Sequence, residues 1–142
     1  PEYAFNPERG QYHSLEILKR VLELTPEDAI KIVGLCNVDL YVPILTFIFG
    51  QAQIDGLAAI VSMKRLNENF YGKASNDSLT FQRALKEIIH ELGHTFGLAH
   101  CESKSCVMSL SIKVENVDQK DVEFCGGCQA LIGPKIIRLK TS

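Results

Sequence analysis

The chain has 142 residues, with 15 Lys and Arg against 17 Asp and Glu, for a formal net charge of −2. Apolar residues make up 46 % and charged residues 23 %, the composition of an ordinary globular domain. A chain of this length buries about two-thirds of its unfolded surface, which suffices for one core and predicts one domain. The near-neutral charge disfavours a nucleic-acid or anionic-membrane surface. The longest apolar runs fall far short of the roughly 20 residues of a membrane span.

The N-terminal half carries alternating helix and strand signals. Residues 1–12 predict an extended or loop segment. Ser14 then precedes apolar residues at helical spacing, which predicts a first helix. A capping pattern over residues 25–28 predicts a second helix, which a following glycine keeps short. Stretches rich in β-branched and aromatic residues predict three strands, at 32–41, 45–49 and 57–63.

The C-terminal half is dominated by one long predicted helix. From about Ser78 or Thr80, apolar residues fall on one helical face until Gly97 stops the helix. The other predictions are a polar loop at 67–77, turns with short apolar pieces at 101–121, and a short helix at 124–131 that ends at Gly133-Pro134. Helices, then a sheet, then a long helix predict a single α/β (α+β) domain.

The strongest chemical signal is the pattern HExxHxxGxxH over residues 90–100. His90 and His94 lie four residues apart, so on a helix their imidazoles project from one face and can share one metal ion. Gly97 allows the chain to leave the helix in a left-handed conformation, and the turn brings His100 back as a third nitrogen ligand. Three histidines leave a fourth position for water, which is the open coordination of a catalytic zinc.

Glu91 lies beside these histidines and can reach a zinc-bound water without being a ligand itself. The pattern therefore predicts zinc-assisted hydrolysis of a peptide bond, in which zinc lowers the pKa of its water towards about 7 and Glu91 is the general base. The alternative is an ordinary helix whose histidines are core or surface residues. Three of the four histidines in the chain fall in the pattern, which favours the metal. His13, outside the pattern, is expected at the surface.

Four of the five cysteines form a second constellation, Cys101-x4-Cys106 and Cys125-x2-Cys128. Two close pairs separated by a loop are typical of a closed, structural tetrahedral zinc site. Two disulfides, or a redox-active C-x2-C pair, are the alternatives. Cys36 lies in a predicted strand and is expected to be a small buried hydrophobe. Because the first cysteine of the four directly follows the third histidine, a structural zinc is expected to anchor the third catalytic ligand.

Met108 lies eight residues after His100 and is placed for a turn beneath the three imidazoles. HExxHxxGxxH followed by a nearby Met resembles the metzincin clan of zinc proteases. The cysteine directly after the third histidine, followed by C-V-M and F-C-x2-C, resembles the archaemetzincin family in particular. The resemblance is continuous over about residues 80–131 and looser around 11–12 and 49–52.

The archaemetzincin resemblance implies a compact metzincin domain with a twisted mixed sheet, an active-site helix and a small zinc-bound C-terminal subdomain, divided here into 1–97 and 98–142. It implies catalytic zinc ligands His90, His94 and His100, the general base Glu91, and a structural turn with Met108 and Gly97. It implies a second, structural zinc on Cys101, Cys106, Cys125 and Cys128, and so two zinc ions per chain. Members of the family usually begin with a strand and a helix upstream of the region that matches Pro1, so we expect either that this N-terminal part is missing from this sequence or that the protein has dispensed with it.

Substrate binding is less well defined than the metal site. In such proteases an edge strand above the helix binds extended substrate by main-chain pairing. The candidate here is 50–54, and an interior or non-strand segment is the alternative. The sequence identifies no oxyanion-stabilising residue. Candidates by residue type alone are Tyr3, Tyr12, Tyr41, Tyr71 and Arg65.

Two other functions compete with a zinc-dependent metallopeptidase. One is a non-catalytic zinc module that binds a peptide or partner, which the presence of Glu91 disfavours because metal binding alone does not need that carboxylate. The other treats the four-cysteine unit as the interaction module. We expect a monomer that acts on peptide or unfolded-protein substrates, without nucleic-acid or membrane partners. Metal-bound thiolates and a free Cys36 suit a reducing interior, which predicts a cytoplasmic protein.

Overall fold

The computed structural model describes residues 1–141. Its helices are α1 (Ser14–Glu23), α2 (Asp77–Thr95), α3 (Val114–Gln119) and α4 (Gly126–Thr141). Its strands are β1 (Phe5–Asn6), β2 (Gln11–His13), β3 (Ile32–Cys36), β4 (Leu40–Tyr41), β5 (Gly50–Ala52) and β6 (Ala58–Ser62). The predicted α/β class is confirmed. Among the described residues, no helix is both long and apolar enough to cross a membrane.

The strands form two three-stranded mixed sheets. The first has the order β1-β2-β4, with β1 and β2 antiparallel and β2 and β4 parallel. The second has the order β3-β6-β5, with β3 parallel and β5 antiparallel to the central β6. An isolated bridge between Leu40 and Ile48 joins the segment after β4 back to that strand. β5 is thus an edge strand, and this position decides what it can do at the site.

The central strand β6 is buried along its whole length because helices cover both faces of its sheet. Ala58 and Ile60 pack with α1, whereas Val61 packs with α2. This alternation follows from the two-residue period of a strand. A third apolar cluster, around Val107 and Met108, joins the segment after α2 to α4. The long helix α2 therefore lies between the sheet and the C-terminal part of the chain.

The long helix α2 confirms the predicted one, beginning one residue before Ser78. The Asn76 side chain accepts a hydrogen bond from the backbone N–H of Leu79 at 3.1 Å, which caps the N-terminus. At the other end Gly97 has φ +91°, in the left-handed region where a side chain would be strained. Together these termini set the length of the helix that carries the first two histidines of the motif.

Several predictions for the N-terminal half are wrong. Residues 25–28 form a single turn, closed by Ala29 N–H to Pro26 O at 3.1 Å, because one turn without tertiary packing does not propagate into a helix. The strand predicted at 32–41 is divided into β3 and β4, which belong to different sheets. Residues 45–49 are not a strand, because side chains rather than a neighbouring strand bond the carbonyls of Leu45 and Thr46.

Three predictions for the C-terminal half also differ from the structure. The last helix does not stop at Gly133-Pro134; α4 continues through Pro134 to Thr141. Ile132 is buried and Ile136 packs on the same cluster, so apolar contacts on both sides of the proline offset its lost backbone hydrogen bond. The helix α3 lies where turns and short apolar pieces were predicted, and a 3₁₀ turn occupies part of the predicted loop, at Glu68–Tyr71.

Candidate metal centre and substrate cleft

Three histidines converge at the C-terminal end of α2. His90 and His94 lie one turn apart on the same face, with their Nε2 atoms 3.2 Å from each other. The turn at Gly97 reverses the chain and brings His100 Nε2 to within 3.2 Å of His94 Nε2. The candidate ligand atoms of the three residues all lie within 4.8 Å of one another. The helical spacing and one glycine turn thus bring the three imidazoles together.

The outer nitrogens of two imidazoles are bonded to backbone carbonyls. His90 Nδ1 donates to Val107 O at 2.8 Å and His94 Nδ1 donates to Leu98 O at 2.7 Å. A carbonyl can only accept, so the proton resides on Nδ1 and the lone pair on Nε2 points into the group. Burial lowers the pKa of all three imidazoles, that of His90 to about 3 with help from the Lys120 charge. Converging neutral nitrogens of this kind suit a cation.

Glu91 follows the first histidine on α2 and is 5 % exposed. Burial, with the nearby Glu87 charge, raises its pKa well above the usual range, against the opposing effect of Lys120. Gly50 of the edge strand lies directly against it: a β-carbon on that glycine would be 3.0 Å from Glu91 Cγ. The Glu91 carboxylate is therefore enclosed between α2 and β5.

The turn after α2 is held by groups from three other parts of the chain. Lys31 donates to Thr95 O at 2.9 Å, and Lys135 of α4 donates to Phe96 O at 2.5 Å. The backbone N–H of Asp55, in the turn between β5 and β6, donates to His94 O at 2.9 Å. Two lysines at a helix C-terminus also interact favourably with its dipole. The path from the second histidine to the third is thus tied to the sheet and to α4.

Met108 is fully buried beneath this part of α2. Its carbonyl accepts a hydrogen bond from Cys101 N–H at 2.9 Å, and Ser109 N–H closes a tight turn on Cys106 O at 3.0 Å. The same turn supplies the Val107 carbonyl that bonds the first imidazole. The turn around Met108 therefore lies against the histidine group.

The four clustered cysteines lie together on the far side of that turn. Their sulfurs all lie within 4.8 Å of one another, and Cys101 Sγ is 3.7 Å from Cys125 Sγ. All five cysteines are free thiols, so the two disulfides of the alternative interpretation are not formed. Cys106 Sγ accepts hydrogen bonds from Met108 N–H and Cys125 N–H, at 3.4 and 3.3 Å. Such N–H groups stabilise thiolates. The hydrogen bond from the Cys128 backbone and the neighbouring sulfurs lower the pKa of Cys125 to about 7, whereas burial and the same sulfurs raise the pKa of Cys128.

An open cleft of about 420 Å³ lies in front of the histidines. Its floor consists of the histidines and Glu91, one wall is the chain from 45 to 52, and the other is the segment 110–112. Ile54, at one end of the cleft, lies just beyond β5 in a turn rather than in the strand, so the predicted edge strand 50–54 is shorter than expected. None of the five oxyanion candidates, Tyr3, Tyr12, Tyr41, Tyr71 and Arg65, is among the described residues that line the cleft.

Two charged residues at the site were not found from the sequence. Glu87, one turn before the first histidine, lines the cleft. Lys120 lies at the end of α3, and its Nζ is 3.1 Å from Glu87 Oε1. Both are nearly fully buried. Glu87 is spaced to share a helix face with the histidines of the motif, which was the one signal in the sequence that it belongs to the site. Nothing in the polar stretch around Lys120 indicates burial.

His13, expected at the surface, is half-buried, and its ring centroid lies 5.1 Å from that of Tyr41.

Comparison with known proteins assigns this fold and site to a class. The sequence profile of Peptidase family M54 matches residues 2–133. The crystal structure of archaemetzincin from Methanopyrus kandleri superposes with a TM-score of 0.86 at 39 % identity, over 96 % of this chain and 72 % of that one. A zinc-dependent peptidase from Methanocorpusculum labreanum gives 0.85 at 34 % identity, over 91 % and 78 %. The protein is a zinc metallopeptidase.

The family within that class follows from the curated relatives. Archaemetzincin of Methanocaldococcus jannaschii is 46 % identical over 128 residues, covering 90 % of this chain and 69 % of the relative. Archaemetzincin of Sulfolobus acidocaldarius is 43 % identical over 127 residues, covering 87 % and 70 %. The chain belongs to the archaemetzincin family, and the resemblance stated from its motifs is confirmed.

Proposed function

We propose that the chain hydrolyses peptide bonds with one zinc ion held by His90, His94 and His100. The observation that carries this proposal is the convergence of three imidazole nitrogens, two of which carry their lone pairs inward because their partners on the outer side are carbonyls. Left alone, such lone pairs would repel one another in a half-buried site. The donor set of three neutral nitrogens with an open side fits zinc.

Zinc in such a site supplies Lewis acidity, which lowers the pKa of water and polarises a substrate carbonyl. We assign the proton transfers to Glu91. Its carboxylate lies at the floor of the cleft next to the histidines and is shielded from bulk solvent by Gly50 and the helix. It takes a proton from the attacking water and delivers it to the substrate nitrogen as the carbon–nitrogen bond breaks, so that the leaving group departs as a neutral amine.

We propose that the substrate backbone pairs with the free edge of β5. Phe49 O and Gln53 N bond to β6, so the alternation of an antiparallel ladder directs the N–H and C=O groups of Gly50 and Ala52 away from it. These groups border the cleft beside Glu91. An extended peptide paired there would present its main chain, rather than a particular side chain, to the histidines.

We further propose a second, structural zinc on Cys101, Cys106, Cys125 and Cys128, which gives two zinc ions per chain. The four sulfurs lie close enough to share one ion, and two backbone N–H groups already donate to Cys106 Sγ. The site would anchor a C-terminal subdomain, 98–142, against the N-terminal part, 1–97. Thiolate ligands persist in a reducing compartment, so the proposal includes a cytoplasmic location.

Elemental analysis of the purified chain beside Glu91→Gln and His94→Ala tests this function. We expect two zinc ions in the unaltered chain and in Glu91→Gln, and one in His94→Ala. A library of unstructured peptides should be cleaved by the unaltered chain alone, with a loss of at least about 100-fold in both variants, the lower bound expected for a lost general base. Cleavage by Glu91→Gln at the unaltered rate would contradict the assigned base. Peptide binding without cleavage by the unaltered chain would favour a non-catalytic binding module.

A further inference from the structure

Lys120 is a lysine whose side chain is completely buried next to the histidine group. Its Nζ lies 3.1 Å from Glu87 Oε1, donates to Ser109 O at 3.1 Å, and lies 3.5 Å from His90 Nδ1. The side chains of Lys120 and Glu87 are 0 % and 3 % exposed. Removing an ammonium and a carboxylate from water costs several kcal/mol for each, and their attraction often only balances that cost. An apolar pair of similar size would stabilise the fold as well, so the pair calls for another explanation.

The contacts of Lys120 join α2 to the turn 107–109, the same two segments that the hydrogen bond between His90 Nδ1 and Val107 O also joins. Glu87 lies on α2 one turn before His90. Ser109 lies directly after Met108, in the turn that packs beneath α2. That turn also provides the Val107 carbonyl that fixes the His90 imidazole. One ammonium thus holds both the helix that carries the imidazole and the turn that orients it.

We propose that Lys120 is a positioning residue for the metal-binding histidines, acting through Glu87 and the Ser109 carbonyl to hold the turn 107–109 against α2. This inference rests on the proposed function only in that the histidines bind zinc. The ammonium specifies the distance between the two segments because it forms an ion pair with the Glu87 carboxylate on one and donates a hydrogen bond to the Ser109 carbonyl on the other. An apolar side chain would fill the same volume without fixing either oxygen.

The test compares Lys120→Met with the double variant Glu87→Gln/Lys120→Met. The single variant leaves a carboxylate buried without its counter-charge and is expected to lose stability as well as metal affinity. The double variant removes both charges, so its free energy of unfolding is expected to recover. Zinc affinity of the histidine site, measured by chelator competition with the cysteine site filled, should remain about 10- to 100-fold weaker in the double variant because the Ser109 carbonyl still lacks its donor.

Lys86→Met is the matched control, since Lys86 of α2 likewise donates to a backbone carbonyl of another element, that of Val117 in α3 at 3.2 Å, without contacting the turn 107–109. Its zinc affinity should equal that of the unaltered chain. Wild-type zinc affinity in the stable double variant would overturn the positioning role and leave the ion pair as a purely structural feature. Absence of zinc from the histidine site of the unaltered chain would instead overturn the proposed function, so the two failures are distinct.

Discussion

The sulfur of Met108 packs against Gly93 so closely that a β-carbon on that glycine would overlap it. Gly93 lies between the first two histidines of the motif, on the face of α2 that meets the turn 106–109. A side chain at this helix position would push the turn, and with it the Val107 carbonyl that bonds His90, away from the helix. Gly93 has no ligand role, yet packing requires a glycine there, because Met108, 15 positions later in the chain, occupies the space of a side chain.

Gly93→Ala is expected to destabilise the fold by about 1–3 kcal/mol through overpacking, although alanine is the better helix former. Zinc affinity should fall as well, because the displaced turn no longer orients His90. Urea unfolding and chelator competition measure the two effects. Adding Met108→Ala to the variant removes the overlapping sulfur and should restore zinc affinity. If Gly93→Ala alone bound zinc normally, the turn would not orient the histidine.

Gly50→Ala tests whether the close packing of β5 on Glu91 positions the proposed general base. A β-carbon there would lie 2.6 Å from Ile60 O and 3.0 Å from Glu91 Cγ, so the strand must shift and the carboxylate with it. We expect kcat/KM to fall by at least about tenfold, in line with the loss from a small misplacement of a catalytic group, with two zinc ions retained. Gln51→Ala is the control on the same strand, because its side chain bonds Ser14 of α1 rather than α2. Equal losses in both variants would argue for a general weakening of the strand.

Cys125→Ser should loosen the metal at the histidines as well as at the cysteines. The two sites are linked because Cys101 follows His100 directly and because Lys135 of α4, the helix that begins beside Cys125, donates to Phe96 O. We expect fewer than two zinc ions per chain and about tenfold weaker zinc binding at the histidines, the lower end of effects seen for supporting residues.

The control for the cysteine experiment is Cys36→Ser, which removes a half-buried thiol in β3 that is not part of the cluster. Its zinc content should stay at two. Unchanged affinity of the histidine site in Cys125→Ser would show that the two metal sites are independent. Metal content by mass spectrometry and competition with a graded series of chelators provide the readouts.

Asp118→Ala is expected to affect stability and not the site. Arg83, 4 % exposed, donates to both Asp118 oxygens at 2.8 Å and also lies 2.8 Å from Glu68, and so joins α2 to α3 and to the 3₁₀ turn. Removing one carboxylate from a buried guanidinium should cost about 1–3 kcal/mol in the free energy of unfolding. Zinc content and kcat/KM of the folded protein should be unchanged, and a loss of zinc would contradict the separation of scaffold and site.

Substrate pairing with β5 predicts a particular response to N-methylation of the peptide. In a set of substrates methylated at one backbone nitrogen each, the substitutions that remove a hydrogen bond to Gly50 or Ala52 should reduce kcat/KM by about tenfold, as expected for one lost hydrogen bond. Alternate positions, whose N–H groups point away from the strand, should tolerate the methyl group. A uniform response along the peptide would exclude main-chain pairing at this edge.

Features that depend on neighbouring residues of the chain were predicted from the sequence. The helical period places His90 and His94 on one face, and Gly97 ends the same helix, because these relations lie within a few residues and follow from backbone geometry. The spacing within each cysteine pair is local in the same way, whereas the 18 residues between the pairs leave their meeting to the tertiary structure. Their roles as zinc ligands stay predictions until the metal is measured.

Features that depend on distant parts of the chain were decided only by the tertiary structure. Pro134 ends a helix by its local chemistry, yet apolar contacts of Ile132 and Ile136 carry α4 past it. A polar stretch gives no sign that Lys120 is buried against Glu87, 33 residues earlier, because only the packing of α3 on α2 removes it from water. The sequence by itself determined which atoms could bind a metal and cleave a peptide. The tertiary structure decided what surrounds them, because burial and charge pairing depend on segments brought together by the whole core.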